Sequence, residues 1–314
     1  MASEARFVHQ SLDQVAKAWD AVGIETLASL GVPDSVLGRR WALVRGDVNL
    51  LWSQWYVESI LDPRRVPSMS YASLFATVRR EIDRRFSAHD KTDPERHELA
   101  VATARFLHAV GRSAQSDRQR LSVTKDVRQQ LVDETGWPVR CWICGADFSE
   151  QTVEVFVSRR SRPMKLPQFI DVLRPRGLNE QDLRIEVDHV VPFAHGGEED
   201  SNLRLACGWC NRHKGARLSL YDTAGRPRLA GPNDLNLHSL PQPFWLIRLF
   251  GVVGRCEHPG GCPRNANDTE LLVAMTNDTG AMNPSNLRVT CRDHDPMLGQ
   301  RLQPPSVIRR IWRT

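Results

Sequence analysis

Two cysteine pairs carry the most explicit chemistry in this chain, Cys141 and Cys144 in CWIC and Cys207 and Cys210 in CGWC. Each C-x-x-C can chelate from one tight turn, so the two pairs together meet the spacing of a tetrahedral zinc site. A redox role for CWIC is the weaker reading, because no thioredoxin-like strand–helix context surrounds it. Between the pairs stand donors of another kind, in the stretch LRIEVDHVVPFAHGGEEDSNLRLACGWCNRHKG that begins at Leu183. Asp188 offers a carboxylate and Asn211 an amide oxygen, and both suit a hard cation such as Mg2+. His189 follows Asp188 directly, and an imidazole near neutral pKa can take a proton from water. Consecutive strand positions face opposite ways, which separates a cation ligand from a base.

In order, the set is Asp188-His189, Pro192, Gly196-Gly197, Asn202-Leu203, Cys207-x-x-Cys210-Asn211 and Lys214. With the helix before CWIC, it resembles the HNH endonucleases, the zinc-stapled branch of the ββα-metal nucleases, over about Asp126 to Gly215. The resemblance implies a metal-dependent DNA endonuclease that hydrolyses phosphodiester bonds with one divalent cation, in a setting such as restriction or anti-phage defence. It implies that His189 is the general base and that Asp188 and Asn211 hold Mg2+ or Mn2+. Asn202 would order the loop that orients His189, and Cys141, Cys144, Cys207 and Cys210 would hold a structural Zn2+. Arg212 and Lys214, on the short final helix, are candidate phosphate contacts. Two departures stand out. Asn211 takes a place that is often histidine, with His213 two residues on as a lesser candidate ligand. His195 reads as a loop residue beside the Gly-Gly turn. An insertion, residues 145–185, separates CWIC from the Asp-His pair. It contains VEVFVSRRSRPMK, a predicted strand followed by Arg159, Arg160, Arg162 and Lys165, with no acid between Val155 and Ile170. That run is a second candidate phosphate surface. The rival function is a zinc-stabilised nucleic-acid-binding protein that no longer cuts.

NPSNLRVTCRDH (283–294) echoes DSNLRLACGWCNRH (200–213). Read without gaps from Asn202 to Asn286, Cys291 falls on Cys207 and His294 on Cys210. Cys256 and Cys262, in CEHPGGC, complete a candidate Cys3His zinc site with Cys291 and His294. The same comparison puts Leu272 on Asp188 and Val273 on His189, residues that neither bind a hard cation nor accept a proton. The expectation is a degenerate HNH-like zinc module followed by a basic tail, RLQPPSVIRRIWRT.

The elements needed to position these groups divide the chain in three. Residues 1–120 form a helical domain, 121–220 the HNH domain with its insertion, and 240–314 the second zinc module, giving an α+β fold class overall. Apolar residues recur at three- and four-residue steps in 41–61, 73–87 and 94–114, which predicts helices there. Trp41, Trp52 and Trp55 are expected in the core of that domain. A hydrophobic content of 41% with 25% charged residues fits a soluble globular chain. The formal charge of +5 biases it mildly toward polyanions. FWLIRLFGVVG is short and interrupted by Arg248, so it predicts no membrane span. A cytoplasmic protein follows, with DNA as partner, and with a protein partner or a second copy as a candidate for the N-terminal helices.

Overall fold

Helices form over each amphipathic stretch of the N-terminal third. The computed structural model describes residues 3–15, 20–116, 123–160, 162–191 and 202–313. The first helices are α1 (Ser3–Val15), α2 (Ala21–Ser29), α3 (Asp34–Leu37), α4 (Trp41–Ile60), α5 (Tyr71–Arg85) and α6 (Asp93–Ser116). Two compact units, Met1–Asn49 and Leu50–Thr314, divide the chain inside α4. Ser70 caps α5 by accepting the Ser73 N–H, and Leu74, Val78 and Ile82 then recur at four-residue steps. They pack with Ala100, Ala104 and Leu107 of α6 and with Val57, Ile60, Leu61 and Val66 in one apolar core. The tryptophans are not in it. Trp41, Trp52 and Trp55 are 47%, 59% and 59% exposed. Five residues from Trp52 to Val57 turn a helix by about 140°, so the tryptophans occupy another face from the one that meets the core.

The C-terminal region is built from small antiparallel hairpins and short helices. Its elements are α7 (Lys125–Thr135), α8 (Glu150–Ser158), β1 (Ile170–Asp171), β2 (Ile185–His189), β3 (Leu203–Cys207), α9 (Gly208–Lys214), β4 (Arg228–Leu229) and β5 (Ser239–Leu240). There follow α10 (Pro243–Val253), β6 (Leu272–Met275), β7 (Leu287–Thr290), α11 (Leu298–Arg301), β8 (Leu302–Gln303) and α12 (Pro305–Ile311). The expected strand in the insertion is the helix α8. Ser149 accepts the Thr152 N–H at its start, Glu150 lies in the first turn, and Arg159 in the left-handed region ends it. Local capping there overrides the β preference of a valine-rich run. The apolar stretch FWLIRLFGVV is α10, whose Phe244, Trp245, Leu246, Ile247, Leu249 and Phe250 are buried. No described helix is long and apolar enough to cross a membrane.

The strands pair as β2–β3, β6–β7, β4–β5 and β1–β8, all antiparallel. The β1–β8 pair carries the insertion to the C-terminal segment. Beside it the buried Arg301 guanidinium donates to both Asp171 oxygens at 2.9 and 3.0 Å and to Asp295 at 2.6 and 2.8 Å. It also donates to the Val273 carbonyl at 2.6 Å. Arg301→Met would leave two buried carboxylates without a counter-charge, a loss of about 3–5 kcal/mol. Denaturant unfolding checks this, and a loss below about 1 kcal/mol, in the range of an exposed pair, would show that the network does not hold the segments together.

Candidate functional site

β2 runs IEVDH, and alternation along a strand sets Glu186 and Asp188 on one side and Val187 and His189 on the other. α9 begins directly after β3 and lies against β2 and β3. Two of its residues, three apart and therefore on one helical face, meet that acidic side. Asn211 Nδ2 donates to Glu186 at 2.5 Å, and Lys214 Nζ donates to Asp188 Oδ1 at 2.9 Å and to the His189 carbonyl. The second Asp188 oxygen accepts the Trp142 indole N–H at 3.0 Å. Asp188 is buried, and that burial pushes its carboxyl above the usual range, against the pull of Lys214. Glu186, Asp188, Asn211 and Lys214 thus form one polar cluster between strand and helix.

His189 is half-buried at the end of β2. The chain immediately after it is held by Asn202. The Val190 N–H donates to the Asn202 carbonyl at 2.9 Å, and the Asn202 side chain exchanges two 2.8 Å bonds with the N–H and carbonyl of Val191. Pro192, His195, Gly196 and Gly197 lie outside the described residues. His213 turns elsewhere: its ring packs on Trp209 one turn back, at 4.7 Å between centroids. Burial, with Arg212 adding to it, lowers its pKa to about 4.

The cysteine pairs converge. The sulfurs of Cys141, Cys144, Cys207 and Cys210 all lie within 4.8 Å of one another, buried and without disulfides. This group could hold a metal ion. Next to it, Arg176 keeps its buried Nε without a partner and is drawn to Cys207 and Cys144 against the cost of burial. Four thiolates around a divalent ion leave a negative charge that such a guanidinium offsets. Cys256, Cys262, Cys291 and His294 form a second such group. Its His294 Nδ1 lies 3.3 Å from Cys291 Sγ and 3.6 Å from Cys256 Sγ. Ligands of a tetrahedral ion with bonds of about 2.0–2.3 Å keep roughly that separation from one another.

The surroundings of the two groups follow one backbone plan. In the first, Cys141 N–H donates to Ala146, Phe148 to Val139, and Trp142 to the Leu205 carbonyl on β3. In the second, Cys256 donates to Arg264, Ala266 to Gly254, and Glu257 to the Val289 carbonyl on β7. The Asn202 clamp recurs as well. Asn286 accepts the Thr276 N–H at its carbonyl and exchanges two 2.8 Å side-chain bonds with Asn277. Strand register corrects the gapless comparison of the sequences. Leu203 opposes His189 and Leu287 opposes Met275, with two fewer residues in the second connection. Ala274 and Met275, not Leu272 and Val273, therefore stand where the first hairpin has Asp188 and His189. Leu272 stands where the first hairpin has Glu186. The two knuckles also touch, since the Leu271 N–H donates to the Cys144 carbonyl at 2.8 Å. Gly145, at φ +70°, leaves no room for a side chain against the Ala266 and Thr269 carbonyls.

A family model described as HNH endonuclease matches residues 178–217. The chain carries an HNH endonuclease domain. No curated protein and no solved structure matches the chain. The matched span runs from just before β2 through α9 and so contains the whole strand–loop–strand–helix unit and its polar cluster.

Around the HNH domain the basic residues separate. Arg159, Arg160 and Arg162 line a cleft of about 510 Å3 that reaches Glu186 and Asn211, together with Arg128 and Arg184. Lys165 lines a different cleft. Arg212 pairs with the buried Asp182, and Lys214 is itself buried on Asp188. Lys214, a candidate phosphate contact by sequence, is thus placed as a counter-charge inside the cluster. Trp142, Glu186, Arg128 and Arg184 were not singled out by sequence. Glu186 had a readable signal, an acid two positions before Asp188 on a strand.

Proposed function

We propose that the chain is a metal-dependent DNA endonuclease whose HNH domain hydrolyses phosphodiester bonds. The observation that supports this most is Asp188 set against the α9 face that carries Asn211 and Lys214, with His189 next to it at the end of β2, in contrast to Ala274-Met275 in the corresponding hairpin. His189 takes the proton of the attacking water. Asn202, by fixing the backbone of Val190 and Val191, limits the directions from which the imidazole can approach it. Asp188 and Asn211, with Glu186 beside them, offer the oxygen-rich donor set that fits Mg2+ or Mn2+. When bound, that cation offsets charge on the phosphate and the departing oxygen. Lys214 balances part of the charge on Asp188, and Trp142 orients its second oxygen. The arginines of the neighbouring cleft receive flanking phosphates. Zn2+ is the fitting ion at both cysteine groups.

The region from Gly254 to Gln303 reads as a degenerate HNH-like unit. It keeps the knuckle ladder, the strand pair, the asparagine clamp and a Cys3His set, and it lacks a base and a cation ligand at the two decisive strand positions.

Supercoiled plasmid incubated with Mg2+ or Mn2+ should be nicked or cut. Single-stranded DNA and RNA belong in the same assay. No product from any of the three would leave the non-cleaving, zinc-stabilised binder as the better reading. Trp142→Phe keeps the ring but removes the hydrogen bond to Asp188. We expect unchanged zinc content and about a 10-fold higher cation concentration for half-maximal rate, the size of effect typical of a residue that orients a ligand. An unaltered cation titration would remove Trp142 from the site.

A further inference from the structure

A second cleft in the C-terminal region lies between the insertion and the second zinc unit, away from Asp188 and His189. It encloses about 970 Å3. Three carboxylates line it, and each is engaged. Asp147 pairs with Arg140, Asp171 with Arg301, and Glu270 with Arg174. Lys165, on the insertion wall, and Arg292, beside the second zinc group, are exposed cations in the lining with no carboxylate partner among the described residues. Arg174 also lines the cleft and is 3% exposed; its Nη2 donates to Glu270, and Nε and Nη1 have no hydrogen-bond partner among the described residues. Buried guanidinium N–H groups left unbonded are costly, and the charge they carry stands directly behind the cleft wall. The lining is apolar toward solvent, with Phe169 55%, Leu302 51%, Leu298 44% and Leu166 40% exposed. A cationic recess beside an exposed aromatic ring is the chemistry of a nucleotide unit. Thr152 and Met164 line both this cleft and the arginine cleft that reaches Asn211.

We propose that this second cleft holds the continuation of a nucleic-acid strand, with one phosphate between Lys165 and Arg292, in front of the buried Arg174 charge, and the adjoining base on Phe169. It rests on the nucleic-acid part of the functional reading but not on cleavage. The degenerate unit is then a wall of the binding path, supplying Arg292, Leu298 and Leu302.

The test measures binding of a labelled single-stranded oligonucleotide to the full-length protein by fluorescence anisotropy, without added divalent cation, across a salt series. K165E/R292E changes two exposed residues, and zinc content and melting temperature serve as controls of folding. The expected result is about tenfold weaker binding and a salt slope shallower by roughly 1.4, two phosphate contacts' worth on single strands. Phe169→Ala should weaken binding about tenfold with the slope unchanged. Wild-type affinity and slope in K165E/R292E would overturn the proposal. A mononucleotide competing as strongly as the oligonucleotide would also overturn it, reassigning the cleft to a free nucleotide. The readouts stay separable from the nuclease reading: a protein that binds through this cleft but never cleaves fails only that reading. One that cleaves while these variants bind normally fails only this proposal.

Discussion

His189→Ala is expected to lower phosphodiester cleavage by about 10^2–10^4-fold, the range that a positioned general base contributes, with zinc content and unfolding midpoint close to wild-type values. The side chain ends β2 half-buried, and the turn after it is secured by the Asn202 backbone bonds, none of which uses the imidazole. Removing the ring therefore takes away a base and leaves the Asn202 bonds to Val190 and Val191 in place. Asp188→Ala is expected to abolish cleavage too, but for two reasons at once. It removes a candidate cation ligand, and it strands the buried ammonium of Lys214. Its melting temperature should fall where that of His189→Ala does not. Asn202→Ala belongs between them, weakening cleavage by freeing Val191 while the Val190 bond to the main-chain carbonyl and the base stay in place. Full activity in His189→Ala would end the proposed mechanism whatever the other variants do.

What could be read from the residues and what could not have separate physical origins. Asp188, His189 and Asn211 were picked out as candidates by their donor chemistry, and Asn202 by the resemblance of the ordered set to the HNH motif. The helices α4, α5 and α6 were legible from the periodicity of 41–61, 73–87 and 94–114. The tryptophans of α4 were not, because a side chain's size says nothing about which helical face meets a neighbour. α8 was misread as a strand because β-branched composition was weighed above the Ser149 cap. Trp142 reaches Asp188 from 46 residues away, a contact created only when the cysteine knuckle closes onto β3. The two-residue difference between the hairpin connections was invisible to a gapless comparison, although it leaves the outcome intact: alanine and methionine are as inert in that role as leucine and valine. The destination of Lys214 also depended on packing. Charge near a reactive centre suggested a phosphate, and the helix places it against the carboxylate instead.

Elemental analysis of the purified protein should find two zinc ions per chain, and the two sites should respond differently to loss of a ligand. Cys207 closes β3 and is the N-cap residue of α9, so the first site fastens the strand that pairs with β2 to the helix that carries Asn211 and Lys214. It also holds the turn from which Trp142 reaches Asp188. Structural zinc supplies about 10–16 kcal/mol in small zinc modules, while a whole domain keeps only about 5–15 kcal/mol of net stability. Cys207→Ser should therefore lose one zinc together with the native fold of this module and all cleavage. Cys262 belongs to the longer second knuckle and is half-exposed. Its neighbours carry no group of the polar cluster, so Cys262→Ser should lose one zinc and melt earlier yet cleave a short oligonucleotide at close to the wild-type rate. A single zinc in the wild-type protein would remove the second site. Equal loss of cleavage in both variants, with the first module still folded, would instead mean that the second unit takes part in the reaction and is more than a wall and a staple.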